Sequence, residues 1–245
     1  MNYLKGIELN SMPPETSYLF ELPVVKQLFK LDKPLFNAPV TILVGENGTG
    51  KSTLLEAIAV AMGFNAEGGG RNFTFSTNST HSELWQYIDT IKTVSAKDGY
   101  FLRAESLYNL ASNIDEMDKL PSFDSPVIDG YGGVSLHKQS HGESFLSLIQ
   151  NRFGGNGLYI LDEPEAALSP MRLLTLISEI DRLVNNNSQL IIATHSPILM
   201  AYPKAEIIEL SVDAITKKKY FETEHYKITK QFLDDPDRIL HYLID

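Results

Sequence analysis

Short runs of apolar residues recur along the chain, and each is followed by a turn or by polar residues. These runs are residues 40–44, 100–104, 158–161, 189–193 and 206–210. Runs of this length are typical of strands that are buried on both faces of a parallel sheet. Segments with helical spacing lie between them. Strands that alternate with helices predict an α/β fold with a mostly parallel sheet covered by helices.

The segments between these strands carry apolar residues at spacings of three and four, which predicts helices. The predicted helices are residues 53–62, 107–117, 142–152 and 170–184, followed by a tail over 229–244 that breaks near Pro236. Ser106 and Ser169 are suited to cap the second and the fourth of these helices. The fourth has one apolar face, which consists of Leu173, Leu174, Ile177, Ile180, Leu183 and Val184.

The remaining segments are less regular. Residues 3–10 and 17–22 have strand-like patterns on either side of a turn at Pro13-Pro14. This arrangement predicts a small N-terminal antiparallel sheet beside the main one. We interpret residues 65–140 as an insertion with a helical part, within a single domain that spans residues 1–245.

Composition narrows the class of protein. The chain has 245 residues, of which 43% are hydrophobic, a formal net charge of −10 and no cysteine. The lack of thiols excludes disulfides, thiolate zinc sites and a cysteine nucleophile. The negative net charge does not support binding of nucleic acid by charge alone, but it does not exclude a local basic face. Because the sequence has neither a signal-peptide core nor an apolar run of about 18–20 residues, we expect a soluble, cytoplasmic protein with no membrane insertion.

A glycine-rich turn follows the predicted strand at 40–44. Residues 45–52 match the phosphate-binding pattern G-x-x-x-x-G-K-[ST], and the strand and helix that this pattern requires flank them. Backbone N–H groups can face inward around an anion there, and the helix start adds its positive end. Lys51 is suited to bind the β- and γ-phosphates, and Ser52 to bind Mg²⁺. The candidate nucleotide-binding residues are Gly45, Asn47, Gly48, Thr49, Gly50, Lys51, Ser52 and Thr53.

Residues with catalytic chemistry follow two later strands. Asp162 and Glu163 end one strand, and His195 follows the next. Functional groups collect at the carboxyl ends of parallel strands, so we expect all three near the phosphate loop. Asp162 is suited to share Mg²⁺ with Ser52. Glu163 is suited to polarise the attacking water, and His195 to contact that water or the γ-phosphate. The alternatives are a solvated carboxylate pair and a capping or core histidine.

A second candidate anion site precedes the helix over 142–152. The segment Ser140-His141-Gly142-Glu143-Ser144 supplies hydroxyls and backbone N–H groups at a helix start. Ser140, Gly142 and Glu143 are therefore candidates for nucleotide contact. The alternative is an ordinary helix cap.

Taken in order, these residues resemble the ATP-binding cassette (ABC) ATPases, which are P-loop NTPases. The motifs that carry the resemblance are Walker A at 45–52, the signature at 140–144, Walker B with its catalytic glutamate at 158–163, the D-loop at 166–170 and the switch histidine at His195. Glu143 stands where the family commonly has a glutamine. The resemblance covers about residues 40–210.

Within this family the chain looks most like the soluble branch. That branch includes the SMC, RecF and overcoming-lysogenization-defect types and small stand-alone predicted AAA-family ATPases. Transporter cassettes more often follow the histidine with an acidic residue, where this chain has Ser196. Glu105 stands where the family has a glutamine before its helical insertion; a surface glutamate is the alternative. Arg71 is similar to an arginine that touches phosphate in the soluble branch, and a solvated loop arginine is its alternative.

The resemblance implies that the chain binds and hydrolyses ATP with Mg²⁺ in an ATP-dependent head-to-tail homodimer. The implied catalytic residues are Glu163, His195 and Lys51, and the implied metal ligands are Ser52 and Asp162. The ATP state would be coupled to an unidentified partner protein or to nucleic acid, as in repair, defence or mobile-element maintenance. The alternatives are the nucleotide-binding subunit of a membrane transporter and a non-hydrolysing, ATP-gated interaction module.

Overall fold

A six-stranded sheet is the main feature of the computed structural model, which describes residues 2–31, 35–70, 81–119 and 125–244. In chain order the strands are β1 (Leu4–Leu9), β2 (Val40–Val44), β3 (Ile88–Lys92), β4 (Asp98–Arg103), β5 (Gly157–Asp162), β6 (Gln189–Ala193), β7 (Ala205–Leu210) and β8 (Ile215–Lys218). The six-stranded sheet has the order β4-β5-β6-β2-β7-β8, and β1 pairs with β3 in a separate small sheet.

Strand β2 lies in the middle of the main sheet and pairs in parallel with β6 on one side and β7 on the other. Strands β5 and β4 continue the parallel arrangement beyond β6, whereas β8 is antiparallel to β7. Strands β2, β5 and β6 are buried at every position. Burial on both faces explains why their apolar runs are continuous rather than alternating. All five runs predicted as strands lie in this sheet.

Helices cover both faces of the main sheet. In chain order they are α1 (Tyr18–Glu21), α2 (Pro23–Leu28), α3 (Lys51–Ala61), α4 (Leu107–Met117), α5 (His141–Arg152), α6 (Pro170–Asn185), α7 (Pro197–Met200), α8 (Glu224–Asp234) and α9 (Pro236–Ile244). Short 3-10 turns lie at Glu83–Tyr87, Val127–Tyr131, Leu136–Lys138, Pro164–Ala166 and Tyr220–Glu222. One buried cluster packs α2 and α3 on one face, and another packs α4, α5 and α6 on the other. The mostly parallel α/β fold is confirmed.

The N-terminal antiparallel sheet has a different second strand from the predicted one. Strand β1 pairs with β3, so that Leu9 lies opposite Ile88. Residues 17–22 were predicted as a strand, and this was wrong because they contain helix α1. The Ser17 hydroxyl accepts a hydrogen bond from the Leu19 N–H at 3.3 Å and caps this helix. A short apolar run does not distinguish a strand from one turn of helix.

Details of two predicted helices also need correction. Leu174 was assigned to the apolar face of α6, but it is 51% exposed, and Leu176 is buried in its place. The buried stripe advances by three and four residues from Leu173, which places Leu174 about 100° to one side. Ser106 and Ser169 occupy the expected cap positions of α4 and α6 without a capping side-chain hydrogen bond.

The segment 65–140, interpreted as an insertion with a helical part, contributes strands β3 and β4 as well as helix α4. Arg71 lies outside the described residues, and so do the polar residues 76–80. In the part of the chain that the structure describes, no helix combines the length and the apolar character needed to cross a membrane.

Candidate active site

The candidate residues lie at the carboxyl ends of parallel strands, along one edge of the main sheet. Strand β2 leads into the phosphate loop over residues 45–52, β5 ends at Asp162, and β6 is followed by Thr194 and His195. Asp162 of β5 lies in register with Ala193 of β6, so these two strand ends are level. Parallel pairing therefore places the three segments side by side.

Close backbone packing shapes the phosphate loop. Gly45 and Gly50 have φ angles of 146° and 95°. A Cβ atom would lie 2.2 Å from the Leu210 carbonyl oxygen at Gly45, and 2.5 Å from Val24 Cγ1 at Gly50. The loop thus lies against β7 on one side and α2 on the other. Helix α3 begins directly after Gly50, so its first N–H groups face the loop, where an anion would bind.

Lys51 is buried at the start of α3 and is 5% exposed. Its Nζ donates to the carbonyl oxygens of Gly45 at 2.7 Å and Glu46 at 2.9 Å. Burial lowers the pKa of Lys51, while the carboxylates of Glu163 and Asp162 act in the opposite direction. The two hydrogen bonds hold the ammonium inside the loop, where it can interact with a phosphate group.

Ser52 and Asp162 form the oxygen pair expected for Mg²⁺. The Ser52 hydroxyl donates to Asp162 Oδ1 at 3.0 Å. Burial raises the pKa of Asp162 to about 6, against the lowering effects of Arg103 and of the bond from Ser52. A hydroxyl and a buried carboxylate are hard oxygen ligands of the kind that Mg²⁺ prefers, so these residues fit the ion.

Arg103 is part of the site and was not predicted. It ends β4, and its Nε lies 3.5 Å from Asp162 Oδ2. Its Nη1 pairs with Glu56 Oε2 of α3 at 2.8 Å, and Glu105 pairs with Nη2. Arg103 therefore links β4, α3 and the carboxylate of Asp162. The signal for it was a charged residue at the end of an apolar strand. Glu105 has a side chain that is 70% exposed, and its role in place of the family glutamine remains a prediction.

Glu163 and His195 lie next to each other at the edge of the sheet. Glu163 has a left-handed backbone with φ 48°, and its Oε1 lies 3.8 Å from His195 Nε2. Burial and the nearby Lys51 ammonium lower the pKa of His195, although Glu163 opposes this effect. The lowered pKa favours the neutral imidazole at pH 7. The structure brings both residues together with Lys51, and their catalytic roles remain predictions.

Glu165 connects the segments that carry these two residues, and it was not predicted either. Its Oε2 accepts a hydrogen bond from the Thr194 hydroxyl at 2.7 Å, and its Oε1 accepts from the His195 N–H. The Thr194 hydroxyl also accepts from the Ser196 N–H at 3.0 Å. Glu165 thus fixes the turn after β6 relative to the turn after β5.

A second histidine reaches the site from the C-terminal part of the chain. His225 lies in the first turn of α8, and its Nε2 is 2.9 Å from His195 Nδ1. The two ring centroids are 5.0 Å apart. The sequence carries no signal for this pair, because the residues are far apart along the chain and α8 has no motif.

The predicted second anion site begins helix α5 as expected. The Glu143 carboxylate accepts from the Ser140 N–H at 2.9 Å and from the Ser140 hydroxyl at 2.6 Å. Arg172 of α6 donates to the Ser140 hydroxyl at 3.1 Å and pairs with Glu143 at 3.1 Å. Gly142 is buried, and a Cβ atom there would lie 2.9 Å from the Ala167 carbonyl oxygen. Within one copy the segment is thus a helix cap, and its contact with nucleotide remains a prediction.

Two family models match successive parts of the chain. Residues 29–114 match the model described as "AAA domain". Residues 127–201 match the model described as "AAA domain, putative AbiEii toxin, Type IV TA system". The first match contains the phosphate loop, and the second contains the segments with Asp162, Glu163 and His195.

The chain is also similar to known nucleotide-binding proteins. It is 29% identical over 165 residues to the cytochrome c biogenesis ATP-binding export protein CcmA of Legionella pneumophila strain Paris, which covers 64% of this chain and 78% of that protein. The structure of CbiO1 from Clostridium perfringens, part of the ABC transporter complex CbiONQ, aligns with a TM-score of 0.51 and 18% identity over 99% of each chain. The SMC head domain from Thermotoga maritima aligns with a TM-score of 0.38 and 16% identity over 74% of this chain and 89% of that one.

The CbiO1 similarity agrees with the fold, and the family matches agree with the residues at the sheet edge. AAA-type domains in successive parts of the chain, an ABC-type fold and a phosphate loop that holds its lysine all indicate one family. Together these findings support a P-loop ATPase of the ATP-binding cassette type.

Proposed function

We propose that the chain binds MgATP at this sheet edge and hydrolyses it between two copies arranged head to tail. The convergence of Lys51, the Ser52–Asp162 pair, Glu163 and His195 supports this most directly. A lysine, a metal-binding oxygen pair, a carboxylate and an imidazole are the groups that phosphoryl transfer to water requires.

In the proposed reaction, Glu163 orients a water molecule and accepts its proton as the water oxygen attacks the γ-phosphorus. The bond from the γ-phosphorus to the bridging oxygen breaks, which leaves ADP and inorganic phosphate. Lys51 stabilises negative charge on the phosphate oxygens, and the neutral His195 ring donates a hydrogen bond to the γ-phosphate. Mg²⁺, held by Ser52 and Asp162, would neutralise part of the phosphate charge.

The second half of each site is proposed to come from the other copy. Ser140 and Glu143 are exposed at the start of α5, and among the described residues their side chains make polar contacts with each other and with Arg172. Helix starts bind anions through their free N–H groups. In a head-to-tail pair this segment would face the γ-phosphate bound by the other copy, and two-fold symmetry would create two equal sites.

A Glu163→Gln variant tests hydrolysis. The amide keeps the side-chain shape and loses the base, so we expect unchanged MgATP affinity by calorimetry and turnover reduced by about 100-fold or more. Glu116→Gln, on an exposed position of α4, should keep wild-type turnover.

Wild-type turnover in Glu163→Gln would contradict the role given to Glu163. If the wild-type protein binds ATP but forms no ADP in a single-turnover assay, the chain is a non-hydrolysing, ATP-gated interaction module instead.

We further propose that the ATP state is passed to a partner protein or to nucleic acid. Ser196 after the switch histidine and the match to the toxin-type AAA model favour this interpretation. The competing candidate is a transporter's nucleotide-binding subunit, which the names of CcmA and CbiO1 favour. Affinity purification of Glu163→Gln from native cells with MgATP distinguishes the two. Recovery of a polytopic membrane protein would support the transporter subunit.

A further inference from the structure

The second histidine at the site, His225, has no role in the proposed reaction. His225 lies beyond residues 29–201, which the two family models match in part. It belongs to α8, which packs against α7 directly after the His195 turn. Its ring therefore reaches the sheet edge from a part of the chain that carries no recognised motif.

The surroundings of the two rings determine which histidine donates the hydrogen bond between them. His195 Nδ1 and His225 Nε2 are 2.9 Å apart, so one of them must carry a proton and the other must accept it. On its other side, His195 Nε2 is buried, has no hydrogen-bond partner among the described residues, and lies 3.8 Å from Glu163 Oε1. A lone pair on that nitrogen would face a carboxylate and be repelled by it. A proton on His195 Nε2 removes this repulsion, and His225 is then the donor.

We infer that His225 is a positioning residue that holds His195 in the tautomer with its proton on Nε2. The inference rests on the proposed role of His195, because only an Nε2–H can donate to the γ-phosphate while Nδ1 is engaged. Which ring nitrogen carries the proton is set by the hydrogen bond that the other nitrogen makes. The bond also fixes the plane of the His195 ring relative to Glu163.

The anchoring of α8 is consistent with a positioning role. Thr223, the residue before α8, is fully buried, and its hydroxyl donates to the Tyr220 carbonyl oxygen at 2.8 Å. The same hydroxyl accepts from the Tyr226 N–H at 3.4 Å and caps the helix. The Tyr226 ring packs on Tyr220 with centroids 4.7 Å apart. His225 is thus held between two anchored neighbours.

The test compares two substitutions of His225 in the full chain. His225→Phe keeps an aromatic ring but removes the donor, and we expect kcat for ATP hydrolysis to fall by about tenfold with little change in KM, the effect of one lost hydrogen bond. His225→Gln places an amide N–H near the position of Nε2, so we expect it to retain kcat close to wild type. His241→Phe, an exposed histidine on α9, is the matched control and should behave as wild type.

Nitrogen-15 NMR of the histidine rings gives a readout that does not depend on activity. In the wild-type protein His195 should show a protonated Nε2 and an acceptor Nδ1, and in His225→Phe the two tautomers should mix. Equal losses of kcat in the Phe and Gln variants, wild-type kcat in His225→Phe, or an unchanged His195 tautomer would each overturn the inference. A wild-type protein without ATPase activity would instead overturn the proposed function, and the NMR result would still decide the tautomer.

Discussion

Lys51 is the residue on which nucleotide binding should depend most. Its ammonium is already desolvated and is bonded to the carbonyl oxygens of Gly45 and Glu46. Phosphate oxygens are stronger, charged acceptors, and a lysine that is already in place needs little reorganisation to reach them.

We therefore predict that Lys51→Ala lowers the affinity for MgATP by at least about 100-fold, the effect of losing two charge-assisted hydrogen bonds. Calorimetric titration measures this. Lys26→Ala is the control, because Lys26 pairs with Glu21 on the surface. Unchanged affinity in a folded Lys51→Ala variant would show that the loop does not bind phosphate.

A second residue-scale prediction concerns Arg103, whose side chain is 17% exposed among the carboxylates of Glu56, Asp162 and Glu105. Its removal deprives the buried carboxylates of Glu56 and Asp162 of their paired guanidinium. We predict that Arg103→Met lowers the free energy of unfolding by about 3 kcal/mol. Urea unfolding without nucleotide measures this change.

Arg182→Met is the matched control, because Arg182 pairs with Glu179 one helical turn away and is more exposed. We expect it to cost less than about 1 kcal/mol. Similar losses in the two variants would mean that the Arg103 cluster does not stabilise the fold.

At the scale of the element, the phosphate loop depends on its packing against α2. The Val24 N–H donates to the Thr49 carbonyl oxygen at 3.2 Å, and the Val24 side chain covers Gly50. Gly48, in the same loop, has a φ of 82°, and a methyl group there would meet no atom of the described residues within 4 Å. The two glycines share a left-handed backbone and differ in the space around them.

We predict that Gly48→Ala lowers the free energy of unfolding by about 1–2 kcal/mol, the cost of a left-handed alanine. Gly50→Ala should cost about 1–3 kcal/mol more, because its methyl group collides with Val24. Denaturant unfolding measures both, and Gly50→Ala should cost less in a Val24→Ala background than in the wild-type protein. Equal costs for the two single substitutions would contradict the packing of α2 against the loop.

At the scale of the whole molecule, the shared site predicts that two inactive variants complement each other. Lys51→Ala removes the phosphate-loop half of a site, and Ser140→Tyr obstructs the α5 half. Ser140 is chosen because it is exposed, whereas a side chain at the buried Gly142 would strike Ala167. In a mixed dimer one site carries both lesions and the other carries none.

Each variant alone should lack ATPase activity, and mixing equal amounts should restore it. With random pairing, about half of the dimers are mixed and about one site in four is intact. Steady-state ATPase assays after subunit exchange measure this, with exchange verified by native mass measurement. Continued inactivity after verified exchange would contradict a site shared between two copies.

The local features of this protein were accessible from the sequence alone. The strands β2, β5 and β6 are continuous apolar runs because they are buried on both faces, and such runs are visible without a structure. The phosphate loop is a contiguous pattern, and its strand and helix neighbours are determined by residues close to it in the chain. The same holds for the Asp162-Glu163 pair at the end of β5.

The tertiary structure alone decided which distant segments meet. The pairing of β1 with β3, the approach of Arg103 to Glu56 and Asp162, and the contact of His225 with His195 all join residues far apart in sequence. Within residues 17–22, Tyr18–Glu21 form helix α1, and the partner of β1 comes from a later part of the chain. Local periodicity indicates whether a segment has a buried face. The identity of the segment that packs on this face depends on contacts between parts of the chain that are distant in sequence. The sequence thus determined which reactive residues end the strands, and the fold determined which side chains hold those residues in place.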